Sequence, residues 1–263
     1  SDNEEMLAKL AAGATGYDLI VPTGNAVESL IRSKQLRPLN KTKLTQLGNI
    51  KPEFLDAFFD PENRYSVPYA YTVTLLGYNA EKLRALNLPT DTWALIFEPR
   101  SLEKLKGRVT VLDSQRELMA AALRYLGHSA NDTDETKWKQ ARDLILRAKP
   151  YWSAFNASSY SIPREGAVLA LDSIVLHKSG RQPELAHRFI DFMLAGQNSA
   201  ELSNLIGSGN PNRAAMRYID QRIADNRAVF PDASAMRRLE MLRDLDRTQR
   251  RVLNRIWTEI KLR

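Results

Sequence analysis

The sequence predicts an α/β protein in which strands lead into helices, and three segments carry this prediction. Residues 1–33 follow the order helix, strand, turn, helix, which is typical of a parallel α/β sheet. A second buried strand is predicted at residues 107–113, where it ends on a carboxylate and runs into a helix. A third apolar strand is predicted at residues 167–176. The 263 residues suffice for one large domain or for two lobes of ordinary size.

The spacing of apolar residues and the position of a proline predict the first three elements. Met6 and Leu10 share one face of a helix, and acidic side chains among residues 2–5 suit its N-terminal end. Residues 17–22 read YDLIVP, which predicts a short buried strand stopped by proline. Residues 26–33 then predict the second helix.

The remaining elements follow in chain order. Extended segments are predicted at residues 65–69 and 73–79. Helices are predicted at residues 92–97, 116–126, 136–149, 183–194, 200–205 and, for the C-terminal region, largely throughout 236–262.

Composition narrows the function classes. The absence of cysteine excludes disulfides and thiolate metal sites, and it fits an exported bacterial protein without requiring one. No apolar run approaches the roughly 20 residues of a membrane span. A net charge of +7 raises nucleic acid as a partner. However, the densest basic cluster, residues 237–251, is interleaved with acidic residues, as on a solvated helix face.

Enzyme signatures are missing as well. The three histidines, His128, His177 and His187, lie apart and lack the spacing of metal ligands. No nucleophile elbow, phosphate-binding loop, dinucleotide fingerprint or zinc-protease motif occurs. We therefore expect a binding protein rather than an enzyme, with no catalytic residue, no metal and no cofactor.

Candidate binding residues lie where predicted strands end, because ligands of open α/β sheets bind beyond the carboxyl ends of strands. Thr23 offers a hydroxyl after the first strand, and Asp113, Ser114 and Glu117 follow the second. Ser114 and Glu117 have the spacing of a helix capping box, so a structural role for them stays open. Asp172 lies inside an apolar strand and needs a partner, which could be a ligand or an internal group.

Eight motifs in order then carry a resemblance to the spermidine/putrescine-binding proteins of bacterial ABC transporters. They are YDLIVP at 17–22, YSVPY at 65–69, LGYN at 76–79, IPREGA at 162–167, AHRFIDFML at 186–194, PNRAA at 211–215, FPDA at 230–233 and IWTEIK at 256–261. The resemblance implies a two-lobed type II periplasmic-binding-protein fold with a ligand cleft between lobes that close by hinge motion. It places the first lobe at residues 1–100, the second at 101–196, and a helical region packing across both lobes at 197–263, part of which returns to the first lobe.

The same resemblance implies a function and a site. In the family, carboxylates pair with ammonium groups and aromatic rings pack the methylene chain. Thr23, Glu117 and Asp172 match family ligand positions, and Asp172 and Glu117 are expected to face each other across the cleft or to line one pocket. The implied protein is a periplasmic monomer, exported by a signal peptide that this chain does not contain. It would deliver a polyamine-like cation to an ABC permease in the inner membrane, without nucleic acid. A ligand sensor of the same fold and a basic nucleic-acid-binding protein are the alternatives.

The chain departs from the family at several ligand positions. Ala170 and Ser208 stand where the family usually has aromatic residues, and Ser114 where it often has a second aspartate. Polyamines should therefore bind more weakly than in an aromatic-lined relative, unless Tyr69 or Tyr71 supplies the ring contacts.

Two family segments of about 30 residues each, the size of one βαβ unit, also have no counterpart here. One precedes the first helix and the other falls between Tyr160 and Ser161. We expect the physical protein to contain both. The structure should then show a spatial break between Tyr160 and Ser161, and a gap or a foreign strand beside residues 17–21.

Overall fold

The computed structural model describes residues 3–153 and 159–262, which fold into two compact units. Unit 1 comprises residues 1–72 and 170–230, and unit 2 comprises residues 73–169 and 231–263. These divisions differ from the expected boundaries near residues 100 and 196. The divisions after residues 72 and 169 fall inside long strands. Sequence patterns place domain boundaries in loops, so they do not predict these positions. Among the described residues, no helix combines the length and apolar character that crossing a membrane requires.

Strands and helices alternate along much of the chain. The strands are β1 Leu19–Ile20, β2 Leu36–Arg37, β3 Ser66–Val73, β4 Leu76–Tyr78, β5 Ser159–Ser161, β6 Ala167–His177 and β7 Leu239–Glu240. The α-helices are α1 Asn3–Ala11, α2 Gly24–Arg32, α3 Ala80–Ala85, α4 Ala94–Phe97, α5 Pro99–Leu105, α6 Gln115–Tyr125, α7 Glu135–Ala148, α8 Pro183–Leu194, α9 Gly196–Ile206, α10 Gln221–Ala224, α11 Ala233–Met236 and α12 Arg247–Leu262. Short 3₁₀ helices cover Lys41–Lys43, Leu47–Asn49, Pro52–Phe54, Pro61–Asn63, Lys149–Tyr151 and Arg213–Tyr218.

Strand β6 organises the larger sheet. Strands β1 and β2 lie on either side of it, both antiparallel to it, with Leu19 opposite Leu176 and Leu36 opposite His177. Strand β3 also pairs with β6, and β7 pairs with it in parallel. The parallel sheet expected from the first helix–strand–helix string is therefore only partly correct. Strands β1 and β2 run in the same direction but are separated by the antiparallel β6.

Helix α2 shows how unit 1 is packed. Its apolar positions Ala26, Val27 and Leu30 fall on one face and are fully buried. Burying each large aliphatic side chain contributes about 1.5–3 kcal/mol. The helix begins at Gly24, where a Cβ atom would lie 2.6 Å from a ring carbon of Phe59. Only glycine allows this close approach.

Unit 2 is built around helices α6, α7 and α12. Helix α7 contacts both others and buries Trp138 and Ile145 among them. Helix α12 buries Leu253, Ile256 and Ile260, whose spacing of three and four residues is that of one helix face.

Two expectations are wrong. Residues 107–113 are not a strand: an isolated parallel bridge joins Val109 to Trp152, and Leu112 is 63% exposed. The expected break between Tyr160 and Ser161 is also wrong, since the two are consecutive residues of β5. The largely helical region expected at residues 236–262 is helical in α12, while β7 and a loop separate α12 from α11.

Candidate functional site

Asp172 occupies a fixed position in unit 1, in the middle of β6. An isolated antiparallel bridge places it opposite Thr23. Next to it, the Ser173 N–H donates a hydrogen bond to the Pro22 carbonyl at 2.9 Å. The burial pattern of β6 alternates at this point, so Ala170 and Asp172 share its less buried face. The end of β1 and the centre of β6 therefore bring together two residues that the sequence singled out.

The Asp172 carboxylate is desolvated without compensation. Burial raises its pKa from 3.8 to about 6. Within residues 3–153 and 159–262, no hydrogen bond or ion pair reaches its carboxylate oxygens. Buried carboxylates normally have partners. The internal partner that the sequence left open is thus not found among the described residues.

Asp60 shows how the same chain satisfies a structural aspartate. Its buried carboxylate accepts hydrogen bonds from the backbone N–H groups of Arg64, Tyr65 and Ser66 and from the Ser66 hydroxyl, at 2.7–3.1 Å. Asp172 lacks any such set among the described residues. The contrast sets Asp172 apart from a structural aspartate of the same chain, as far as the described residues go.

Asp172 borders a cavity of about 530 Å³ within unit 1, lined also by α1 and by residues from 17 to 21. Lys9 lies on the same cavity, but its ammonium pairs with Glu5 at 2.6 Å. Tyr69 is near the carboxylate: its pKa is raised by burial first and then by the negative charge of Asp172. The cavity lining offers a cation the Asp172 carboxylate and the Tyr17 ring, and Tyr69 lies close enough for the Asp172 charge to affect it.

Thr23 is the N-cap residue of α2, although its side chain does not cap the helix. Its hydroxyl donates to Asn25 Oδ1 at 2.7 Å, and its N–H donates to Asn3 Oδ1 at 3.1 Å. Since the proton of the hydroxyl is used, the oxygen remains as an acceptor. An ammonium beside Asp172 could therefore also donate to Thr23.

The residues predicted near the start of α6 lie in unit 2 and do not form a capping box. The Ser114 side chain makes no capping bond, and Glu117 Oε2 instead accepts from the Thr74 hydroxyl. Burial raises the pKa of Glu117, while the Thr74 hydrogen bond and the Arg116 charge act in the opposite direction. Asp113 is exposed and paired with Lys261.

Asp172 and Glu117 thus line two cavities, each formed within one unit. That the two carboxylates face each other across a cleft or line one pocket stays a prediction.

Ser208 stands at a position where the family usually has an aromatic residue, and Tyr69 and Tyr71 are the rings expected to compensate. The structure places the three in different surroundings. Ser208 is buried, and its hydroxyl has no hydrogen-bond partner among the described residues. Tyr71 stacks on Phe54 with ring centroids 5.0 Å apart and packs on Gly209, so it belongs to the core. Tyr69 is the ring whose pKa the Asp172 charge raises. No sequence signal separates it from Tyr71, which lies two residues further along the same strand.

The described residues contain no group of three acidic or histidine side chains that could hold a metal ion. A carboxylate with a neighbouring hydroxyl and a nearby phenol suits an organic cation.

Comparison with known proteins identifies the family. Residues 2–161 match the family described as bacterial extracellular solute-binding protein. A putrescine/cadaverine-binding protein of Pseudomonas aeruginosa is 51% identical, with 100% of this chain and 85% of the relative covered. The putrescine-binding periplasmic protein PotF of Escherichia coli is 31% identical, with 98% and 82% covered.

A structure titled as a putative spermidine/putrescine ABC transporter from Listeria monocytogenes superimposes with a TM-score of 0.88 at 28% identity, covering 99% of this chain and 88% of that one. The expected α/β fold of the type II periplasmic binding proteins is thereby confirmed. The chain belongs to the bacterial extracellular solute-binding protein family.

Proposed function

We propose that this chain is the solute-binding component of an ABC importer and that it binds a polyamine or a related small cation. The observation that carries the proposal is Asp172, a desolvated carboxylate that borders a cavity and has no partner among the described residues. The relatives named for putrescine, cadaverine and spermidine support it. Because those names concern binding and transport, neither a sensor nor a nucleic-acid-binding protein is favoured.

An ammonium group supplies what Asp172 lacks. It brings the opposite charge and up to three N–H donors, and charge-assisted hydrogen bonds of this kind are the strong ones. Thr23 accepts a second hydrogen bond, and the Tyr69 ring packs the methylene chain or attracts the cation. Glu117 is the proposed carboxylate of unit 2. Asp113 is the weaker candidate, because Lys261 already pairs with it.

The proposed biological role is to bind the ligand and release it unchanged. We propose that the chain acts in the periplasm as a monomer and delivers its ligand to a permease of the inner membrane. Ser114 and Ser208, which replace family ligand positions, remain predicted contacts.

Titration calorimetry tests the proposal. Putrescine and cadaverine should bind, whereas 1,4-butanediol, which has the same carbon chain but no charge, should not. Equal binding of the diol, or no binding of any diamine, would contradict a site built around a carboxylate.

Putrescine affinity should depend on pH, because only the ionised carboxylate attracts an ammonium. With a pKa of about 6 in the free protein, Asp172 is mostly charged at pH 7 and mostly neutral at pH 5. The dissociation constant should therefore rise about tenfold between pH 7 and pH 5. Fluorescence or calorimetric titration measures it. A constant affinity over this range would argue against Asp172 as the partner, and Asp172→Asn should flatten the dependence.

Putrescine affinity should also increase when an aromatic ring is introduced at residue 170, where the family usually has one. Ala170 shares the less buried face of β6 with Asp172, so Ala170→Phe should place a π face beside the cation. One such contact is worth about 0.5–2 kcal/mol, or roughly two- to thirtyfold in affinity. Ala170→Leu adds apolar volume without a π face and is the matched control. An equal gain from leucine would show that volume, not the ring, is responsible.

A further inference from the structure

Helix α8 is apolar on the side that faces solvent. Leu185, Phe189 and Phe192 are 56%, 48% and 59% exposed, and their spacing of four and three residues makes them neighbours on the helix surface. We call these three residues the α8 stripe. The opposite side of α8 is also apolar and is packed in unit 1, where Ala186 and Ile190 are buried. A helix that is apolar on both sides normally lies inside a protein or against a membrane.

The α8 stripe differs from an ordinary solvent face of the same chain. Helix α12 carries Arg247, Arg251, Asn254 and Thr258 along its exposed side. A large apolar side chain presents on the order of 200 Å² when fully exposed, so three that are about half exposed form a patch of roughly 300 Å². Single exposed apolar residues need no explanation, whereas contiguous patches of this size on monomeric proteins are often functional.

The free charges around the α8 stripe are positive. Arg188 lies on the exposed side of α8, and Lys178 and Arg181 lie just before the helix begins. All three residues are exposed, and no side chain among them has a hydrogen bond or ion pair with any residue that the structure describes. A cation at the N-terminal end of a helix opposes the helix dipole, so Arg181 does not stabilise α8 in this way.

The acidic residues of α8 are already used within unit 1. Glu184 forms an ion pair with Lys43. The Asp191 carboxylate accepts hydrogen bonds from the Thr45 hydroxyl and the Gln46 N–H, each at 2.8 Å. The charge that α8 presents to a partner is therefore positive, and the complementary surface is both apolar and anionic.

A second copy of the chain is a poor match to the α8 stripe. A stable interface buries about 800 Å² on each partner, more than twice the area of the stripe. Two copies related by a twofold axis through the stripe would also bring Arg188 close to its own counterpart, which is unfavourable. An anionic phospholipid membrane meets both requirements. Leucine and phenylalanine enter the boundary between headgroups and acyl chains, while arginine and lysine contact lipid phosphates.

We propose that α8 docks the chain on the surface of an anionic phospholipid membrane, with the α8 stripe inserted at the headgroup level and Lys178, Arg181 and Arg188 against lipid phosphates. Helix α8 has 12 residues and lies on the membrane rather than across it, since a span takes roughly 20. The docking surface contains neither Asp172 nor Glu117, so this proposal is independent of the proposed function.

Vesicle flotation with the full chain tests the proposal. Vesicles of phosphatidylcholine mixed with phosphatidylglycerol should bind the chain about tenfold more tightly, or better, than vesicles of phosphatidylcholine alone, because three cations contact anionic phosphates. Added salt should weaken this binding, since it screens exposed charges. Absence of binding to the anionic vesicles would overturn the proposal.

Matched variants separate the α8 surface from the net charge of +7. Arg188→Gln and Arg251→Gln each remove one exposed charge, and only the first should weaken vesicle binding, by about fivefold. Phe192→Ser and Leu205→Ser each remove one exposed apolar side chain, and only the first should weaken binding, by about tenfold. Equal losses within either pair would indicate general adsorption and overturn the proposal. Putrescine binding should be unchanged in all four variants.

A fluorescent label measures insertion directly. The chain has no cysteine, so Phe189→Cys and Leu205→Cys each provide one site for an environment-sensitive fluorophore. With anionic vesicles, the emission of the label at residue 189 should shift to shorter wavelength, because the label leaves water, and that at residue 205 should not. An unchanged spectrum at residue 189 would contradict insertion. A dimer in sedimentation that Phe192→Ser dissociates would make a second copy the occupant, which also overturns the proposal.

Discussion

Asp172→Asn is expected to weaken putrescine binding by about 2–5 kcal/mol, the range for truncating one partner of a buried, hydrogen-bonded charge pair. This corresponds to a loss of roughly thirtyfold to several thousandfold in affinity. The amide keeps the size of the side chain but offers no charge to an ammonium. Titration calorimetry at pH 7 measures the effect on purified protein.

Asp225→Asn is the control for this experiment. Asp225 is exposed at the end of α10 and carries the same charge, so it reports the effect of net charge alone. It should change affinity little. If both variants lose the same affinity, the effect is long-range electrostatics, and Asp172 makes no direct contact.

The same substitution is expected to stabilise the unliganded protein at pH 7. Burial raises the pKa of Asp172 from 3.8 to about 6, so the folded state binds more protons than the unfolded state between these values. Stability therefore falls as pH rises through this window. Above pH 6 the penalty approaches about 3 kcal/mol, an upper value because water still reaches part of the group. Asparagine has no charge to desolvate and removes the penalty.

Urea unfolding of both proteins measures the difference. The difference in the free energy of unfolding should reach its full value at pH 7. It should disappear near pH 3.5, where Asp172 is neutral in the folded protein. Asp60→Asn is the counter-example: the Asp60 carboxylate accepts four hydrogen bonds, so its variant should be less stable than the wild type at pH 7. If Asp172→Asn also lost stability, Asp172 would be a structural residue like Asp60.

Much of unit 1 could be predicted from local sequence. Apolar residues on both sides of Asp172 and Ser173 specify β6, and a carboxylate between them is conspicuous. Thr23 could be predicted because proline ends the preceding strand. The bridge between Thr23 and Asp172 could not, since it depends on β1 pairing with β6 rather than with its neighbours in sequence.

Other features depend on contacts that a local pattern does not contain. Ser114 and Glu117 have capping-box spacing, but Glu117 accepts its hydrogen bond from Thr74, more than 40 residues away in sequence. Residues 107–113 have the composition of a strand, yet a strand also needs neighbours to pair with. The described structure supplies one neighbour, at Val109.

The most direct test of the central claim is the number of protons released when putrescine binds at pH 6. Calorimetric titration in two buffers of different ionisation enthalpy gives this number. Because Asp172 has a pKa of about 6 when free and must be ionised to hold an ammonium, binding should release about half a proton. Asp172→Asn should largely abolish that release. Binding without proton release by the wild type, or undiminished release by the variant, would contradict the assignment of Asp172 as the cation-binding carboxylate.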